Sequence, residues 1–111
     1  MLVMVYGTLK KGFGNHRLLH GSKYAGPASV AGTMRNLGYF PAVTLGGSGT
    51  VYGEVYDVDE PTLKSLDSLE GYPGWYNREE VVTTYGIASI YTLDKPDAPV
   101  VEDGVWRKSC L

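Results

Sequence analysis

In Thr50-Val51-Tyr52-Gly53-Glu54-Val55-Tyr56-Asp57-Val58 the side chains alternate, and a helix start follows at once. Successive strand residues point to opposite faces. Val51, Gly53, Val55 and Asp57 therefore share one face, and Tyr52, Glu54, Tyr56 and Val58 the other. Asp59 is placed to cap a helix, with Pro61 in its first turn, where the missing N–H breaks no bond. The helix is expected over residues 60–70 and stops at Gly71-Tyr72-Pro73-Gly74.

Around this pair the pattern is mostly strand. Leu2-Val3-Met4-Val5 is apolar with two β-branched residues and reads as a short buried strand. It emerges into Tyr6-Gly7-Thr8-Leu9 and a glycine-spaced loop through Gly12 and Gly14. Residues 15–20 suggest one or two helical turns, with Asn15 as N-cap and Gly21 as stop. Residues 22–34 are strand-like, and Gly26-Pro27 within them signals a bend or an edge. Residues 36–49 carry Gly38, Pro41, Gly46, Gly47 and Gly49 and are expected to be a mobile loop. Residues 76–84 and 87–93 read as a hairpin joined at Tyr85-Gly86. A turn at Lys95-Pro96-Asp97-Ala98-Pro99 and a last short piece over residues 100–106 follow. Many strands with two short helices imply an α+β fold, a closed or nearly closed barrel. A chain of 111 residues, 43% apolar, can bury one core but not two, so residues 1–111 are expected to form a single domain.

Composition excludes several functions. A net charge of -2 provides no basic field for nucleic acid and no polybasic patch for a membrane. The one cysteine, Cys110, cannot form an internal disulfide, and next to the C-terminus it is a poor catalytic thiol. Met1-Leu2-Val3-Met4-Val5 is too short for a signal h-region or a membrane span, so a cytoplasmic location is expected. Nine tyrosines against two phenylalanines suit half-buried strands and cavity walls, where the ring packs and the hydroxyl finds a partner.

Two places carry chemistry. A strand end at Tyr6-Gly7-Thr8-Leu9 leaves backbone N–H groups unpaired, which suits a carboxylate or a developing oxyanion; an ordinary strand-to-loop turn is the plainer reading. On the helix, advancing about 100° per residue puts Glu70 between the core leucines Leu63 and Leu66, with Leu69 on the same apolar stripe and Asp67 on its margin. An acid aimed into an apolar face loses hydration, its pKa rises, and it becomes a proton-transfer group near neutral pH. The alternatives are that the helix frays and Glu70 turns to solvent, or that it pairs with Arg78 in a structural ion pair. His16 and His20 have the spacing of two metal ligands, but no third ligand accompanies them, and no metal site is expected. Glu79 and Glu80 fall on opposite faces of a strand. Phosphate-loop, dinucleotide and Gly-x-Ser-x-Gly signatures are absent, and Ser48 has no histidine nearby in sequence.

Several of these pieces together resemble the γ-glutamylcyclotransferase-like family, most closely its γ-glutamylamine cyclotransferase branch. They are Val5-Tyr6-Gly7-Thr8-Leu9-Lys10, Asn15-His16, Gly53-Glu54-Val55-Tyr56, Leu66-Asp67 with Leu69-Glu70-Gly71, and Tyr76 with Arg78, in the family's order. The resemblance implies a small mixed β-barrel with short flanking helices. It implies that Tyr6, Gly7, Thr8 and Leu9 hold a γ-glutamyl group, that Glu70 is the catalytic acid/base, and that Tyr76 lines the pocket. Arg78 is either a site residue or a support of the sheet. No cofactor is implied. The partner is a small-molecule γ-glutamyl substrate, whose own α-amine closes the ring and releases 5-oxoproline. A non-catalytic small-ligand binding module on the same fold is the alternative. Residues 36–49 are the candidate readers of the leaving group.

Overall fold

The computed structural model describes residues 1–108; Cys110 lies outside the described residues. The elements are β1 (Leu2–Val5), a 3-10 helix (Gly14–Leu19), β2 (Lys23–Asn36), β3 (Pro41–Asp57), α1 (Glu60–Glu70), β4 (Asn77–Thr83) and β5 (Gly86–Thr92). The strands form one sheet in the order β2-β3-β1-β5-β4. β1 lies at its centre, antiparallel to β3 with Val5 opposite Glu54 and parallel to β5 with Met4 opposite Ile90. A strand covered on both faces needs apolar residues throughout, and Val3, Met4 and Val5 are all buried. Val3 and Val5 pack with Leu66, Tyr76 and Tyr91 on one face, and Met4 packs with Val43, Val55, Ile90 and Trp106 on the other.

The expected barrel is not formed: the sheet is open. Closure would require a ladder between the edge strands β2 and β4, and the strand order contains none. The cause lies in β2. Pro27 has no N–H to give, and the register of β2 on β3 shifts between Tyr24 and Gly26 and again between Ala31 and Gly32. Such irregularities bend an edge strand and add twist instead of presenting an even row of donors. The edges approach one another without a ladder, and beside them the hydroxyl of Tyr85, in the turn between β4 and β5, donates to the Pro27 carbonyl at 2.9 Å. Gly26 makes this approach possible, since a Cβ there would stand 2.0 Å from the Tyr85 hydroxyl.

Residues 36–49 also differ from expectation. Pro41 already begins β3, which pairs with β2 from Asn36 opposite Pro41 onward. The glycines are accommodated because the ladder jumps from Leu45 to Thr50, opposite the consecutive Gly32 and Ala31. Gly46 and Gly47 take φ of 89° and 78° in that excursion. Only the short connection before Pro41, with Tyr39 and Phe40, is left outside the strands.

The helix has the expected bounds. The Asp59 carboxylate accepts from the Thr62 N–H at 2.8 Å, and Gly71 closes the C-terminus in the left-handed region at φ 64°, donating to the Asp67 and Ser68 carbonyls. The helical turns expected over residues 15–20 are a 3-10 helix over Gly14–Leu19 whose N-cap is Phe13, not Asn15. Residues 100–106 form a strap along β2 that ends with Trp106 in the core. Val100 bridges Arg35, the Val101 N–H donates to the Met34 carbonyl, and Trp106 is fully covered.

Candidate active site

Beyond Val5 the chain leaves the centre of the sheet, and the Tyr6-Gly7-Thr8-Leu9 turn takes a distinctive hydrogen-bond state. Its acceptors are used. The Gly7 carbonyl takes the Lys10 N–H at 3.0 Å, and the Thr8 carbonyl takes the Asn15 N–H at 3.1 Å. The Thr8 hydroxyl oxygen takes the Asn15 side-chain amide at 2.9 Å, and His16 Nδ1 meets the Leu9 carbonyl at 2.9 Å. Its donors are not used: among the described residues, no protein group accepts from the N–H of Gly7, Thr8 or Leu9. Satisfied carbonyls and free N–H groups make a surface with partial positive charge. The loop is held in place from β3, where Glu54 Oε1 accepts from the Lys11 N–H at 2.9 Å and from the Tyr56 hydroxyl at 2.9 Å. Gly7 is required by packing, because a Cβ would lie 2.7 Å from the Pro41 ring.

Glu70 ends α1 and lines the same cavity as this turn, a space of about 290 Å³, at the small end of small-molecule sites. Tyr6, Leu9, Tyr76 and Tyr91 form its buried floor. Burial pushes the Glu70 carboxyl up from 4.5 to about 7. No described protein group donates a hydrogen bond to it, so nothing offsets the lost hydration. Tyr6 and Tyr76 lie close enough to feel its charge. Burial raises both phenols well above their ordinary value, with Glu70 adding to the shift. Both therefore stay neutral. Their protons are committed to main-chain carbonyls, Tyr6 to Tyr91 at 2.7 Å and Tyr76 to Pro41 at 2.8 Å. Glu70 is thus the titratable group of the cavity near neutral pH.

The ion pair considered for Glu70 goes to its neighbour on the helix. Arg78 Nη1 binds Asp67 Oδ2 at 2.5 Å, the Tyr91 hydroxyl donates to Asp67 Oδ1 at 2.7 Å, and the guanidinium lies 4.7 Å from the centre of the Tyr72 ring. Arg78 does not line the cavity; it ties the end of α1 to β4 and β5. Leu69, expected on the apolar stripe of the helix, is 37% exposed and lines the cavity. His16 meets the Tyr56 ring in a tilted contact at 5.7 Å and does not line the cavity, and Ser48 is exposed in the glycine excursion.

The family model for "Gamma-glutamyl cyclotransferase, AIG2-like" matches residues 3–108. The chain belongs to this family. It is 35% identical over 109 residues to the γ-glutamylcyclotransferase family protein YtfP of Escherichia coli, covering 96% of both chains. The solution structure of that protein superposes with a TM-score of 0.78 at 34% identity, covering 98% of each chain. The crystal structure of an uncharacterised protein from Pyrococcus horikoshii superposes with a TM-score of 0.83 at 31% identity, covering 95% of this chain and 88% of that one.

The general chemistry of the γ-glutamyl cyclotransferase family is ring closure. The cavity offers unpaired N–H groups and one carboxyl, and among the described residues neither Ser nor Cys lines it. Sequence reasoning gave no pocket role to Asn15, Trp75 or Tyr91, all of which line the cavity; Tyr39 and Phe40, which also line it, fall within residues 36–49, expected to read the leaving group. Asn15 had a signal, in its place after the turn, but its side chain reads equally well as a helix cap. Tyr91 and Phe40 reach the site only through tertiary packing.

Proposed function

We propose that the chain is a γ-glutamylamine-type cyclotransferase in which Glu70 is the general acid/base and Tyr6, Gly7, Thr8, Leu9 and Tyr76 hold the γ-glutamyl group. The observation that carries this reading is a carboxyl poised at about 7 by burial alone in one cavity with a turn whose N–H groups are unpaired. Glu70 takes a proton from the substrate's α-ammonium. The freed amine attacks the γ-carbonyl carbon, forming the new C–N bond of a five-membered ring. Negative charge on the carbonyl oxygen, or the α-carboxylate, is met by the N–H groups of the turn. The bond to the leaving nitrogen breaks as that nitrogen takes the proton from Glu70; the carboxylate then takes the second proton from the ring nitrogen and hands it to the released amine, which leaves as the ammonium. The products are 5-oxoproline and a free amine, with Glu70 returned to its starting state.

The nucleophile belongs to the substrate, so the protein's main task is to hold it folded. The proton transfers contribute about 10²–10⁴-fold. The test is 5-oxoproline release from γ-glutamyl-ε-lysine by the native protein and by Glu70→Gln. The expected result is a loss of that order in kcat, with thermal stabilisation by 5-oxoproline retained. Unimpaired turnover by a folded Glu70→Gln protein overturns the mechanism. Stabilisation by a carboxylate ligand with no turnover of any γ-glutamyl compound replaces the enzyme by the binding module.

A further inference from the structure

The Thr8 side chain is held by contacts that decide which way its hydroxyl points. Asn15 clasps Thr8 twice. Its main-chain N–H donates to the Thr8 carbonyl at 3.1 Å, and its side-chain Nδ2 donates to Thr8 Oγ1 at 2.9 Å. The orientation of the Asn15 amide is set from its other end, where Oδ1 accepts from Arg17 Nη1 at 3.3 Å. A guanidinium has donors only, so the amide oxygen faces Arg17 and the amide nitrogen faces Thr8. Arg17 is itself fixed by a bond from Nη1 to the Gly14 carbonyl at 2.7 Å. With its oxygen accepting from Asn15, the Thr8 hydroxyl still has its hydrogen to give. Among the described residues no protein group takes that hydrogen, and both Thr8 and Asn15 line the cavity.

We infer that Arg17 and Asn15 form a relay that makes the Thr8 hydroxyl a donor to the α-carboxylate of the γ-glutamyl group, with Asn15 as the positioning residue. The identity of that ligand rests on the cyclotransferase reading. The donors of the turn are then the N–H groups of Gly7, Thr8 and Leu9 together with this O–H. A carboxylate has two oxygens with about four lone-pair directions, so its capacity matches the set. Among the described residues no Lys, Arg or His lines the cavity, so the carboxylate meets no formal cation there. The relay supplies part of what a cation would. Each donor polarises the next, and the hydrogen of the Thr8 hydroxyl becomes more positive for being at the end of a chain that starts on a guanidinium.

Asn15→Asp tests the direction. A carboxylate at this position still pairs with Arg17 and still bonds Thr8, but only as an acceptor, so the hydroxyl turns its hydrogen to it and away from the ligand. A role confined to holding the turn survives this change. The measurement is a double-mutant cycle in the Kd for 5-oxoproline, by calorimetry, over the native protein, Thr8→Val, Asn15→Asp and the double variant. Thr8→Val is expected to weaken binding roughly tenfold or more, the range for a hydrogen bond to a charged group. Asn15→Asp is expected to weaken it at least as much in the native background and severalfold less in the Thr8→Val background, where only the repulsion between two carboxylates remains. With γ-glutamyl-ε-lysine, Thr8→Val is expected to raise KM and hold kcat, since the α-carboxylate is gripped equally in ground and transition states. Equal factors for Asn15→Asp in the two backgrounds overturn the relay. An unchanged Kd in a folded Thr8→Val protein overturns the hydroxyl as a donor, and a fall in kcat at constant KM overturns its assignment to the carboxylate. A native protein that neither binds 5-oxoproline nor releases it from any γ-glutamyl compound removes the cyclotransferase reading, and the relay falls with it; the other outcomes leave that reading intact.

Discussion

Glu70 owes its properties to its immediate surroundings. It follows Leu69 at the end of a helix, burial strips much of its hydration, and both neighbouring phenols donate their hydrogen bonds to carbonyls instead of to it. A base in this state is ionised only above about 7, so the acid limb of kcat/KM against pH should bend there and not near 4.5. A rate profile flat from pH 5 to pH 8 would be at odds with Glu70 as the base. This residue's position was legible in the sequence, because helical periodicity places it between Leu63 and Leu66. The partner of Arg78 was not. Asp67 and Glu70 are both close upstream, and spacing alone does not say which reaches the guanidinium. Asn15 shows the same limit, since its choice between capping a helix and clasping Thr8 is decided by where the Tyr6-Gly7-Thr8-Leu9 turn lies.

At the scale of elements, α1 was readable to the residue because both of its ends carry local chemistry, an Asp59 cap and a Gly71 stop. The first half of β3 was not readable, because its glycines and Pro41 are loop signals on their own. They become strand only by pairing with β2, a contact between segments far apart in sequence. The end of α1 is fixed to the sheet through Asp67, which is shared by Arg78 on β4 and Tyr91 on β5. Arg78→Leu leaves that partly buried carboxylate with one partner in place of two. The expected cost is about 1–2 kcal/mol in urea denaturation at pH 7. A change inside the scatter of surface substitutions would mean that packing alone holds the helix end.

For the whole molecule, an acid kept at about 7 is a destabilising feature with a definite pH window. The folded state keeps on Glu70 a proton that the unfolded chain gives up near 4.5. Between about 4.5 and about 7 the native state therefore binds more protons than the unfolded one, and stability falls as pH rises. Glu70→Gln removes this term. It is expected to be more stable than the native chain by ~1–3 kcal/mol at pH 8 and nearly equal to it at pH 4, measured by thermal denaturation at both values. Equal stability at pH 8 would show that water reaches the carboxylate. The same scale explains why the barrel was misjudged. Local patterns announce strands, but closure depends on whether two edges far apart in sequence can exchange an even row of hydrogen bonds, and Pro27 and the slips in β2 prevent it. An open sheet is ordinarily an invitation for another chain to add its own strand and for copies to stack into fibrils. At the β2 edge an incoming strand meets a proline, two breaks in register and a tyrosine hydroxyl already bonded across the gap. The irregularities that keep this sheet from closing on itself also spoil that edge as a template for another strand.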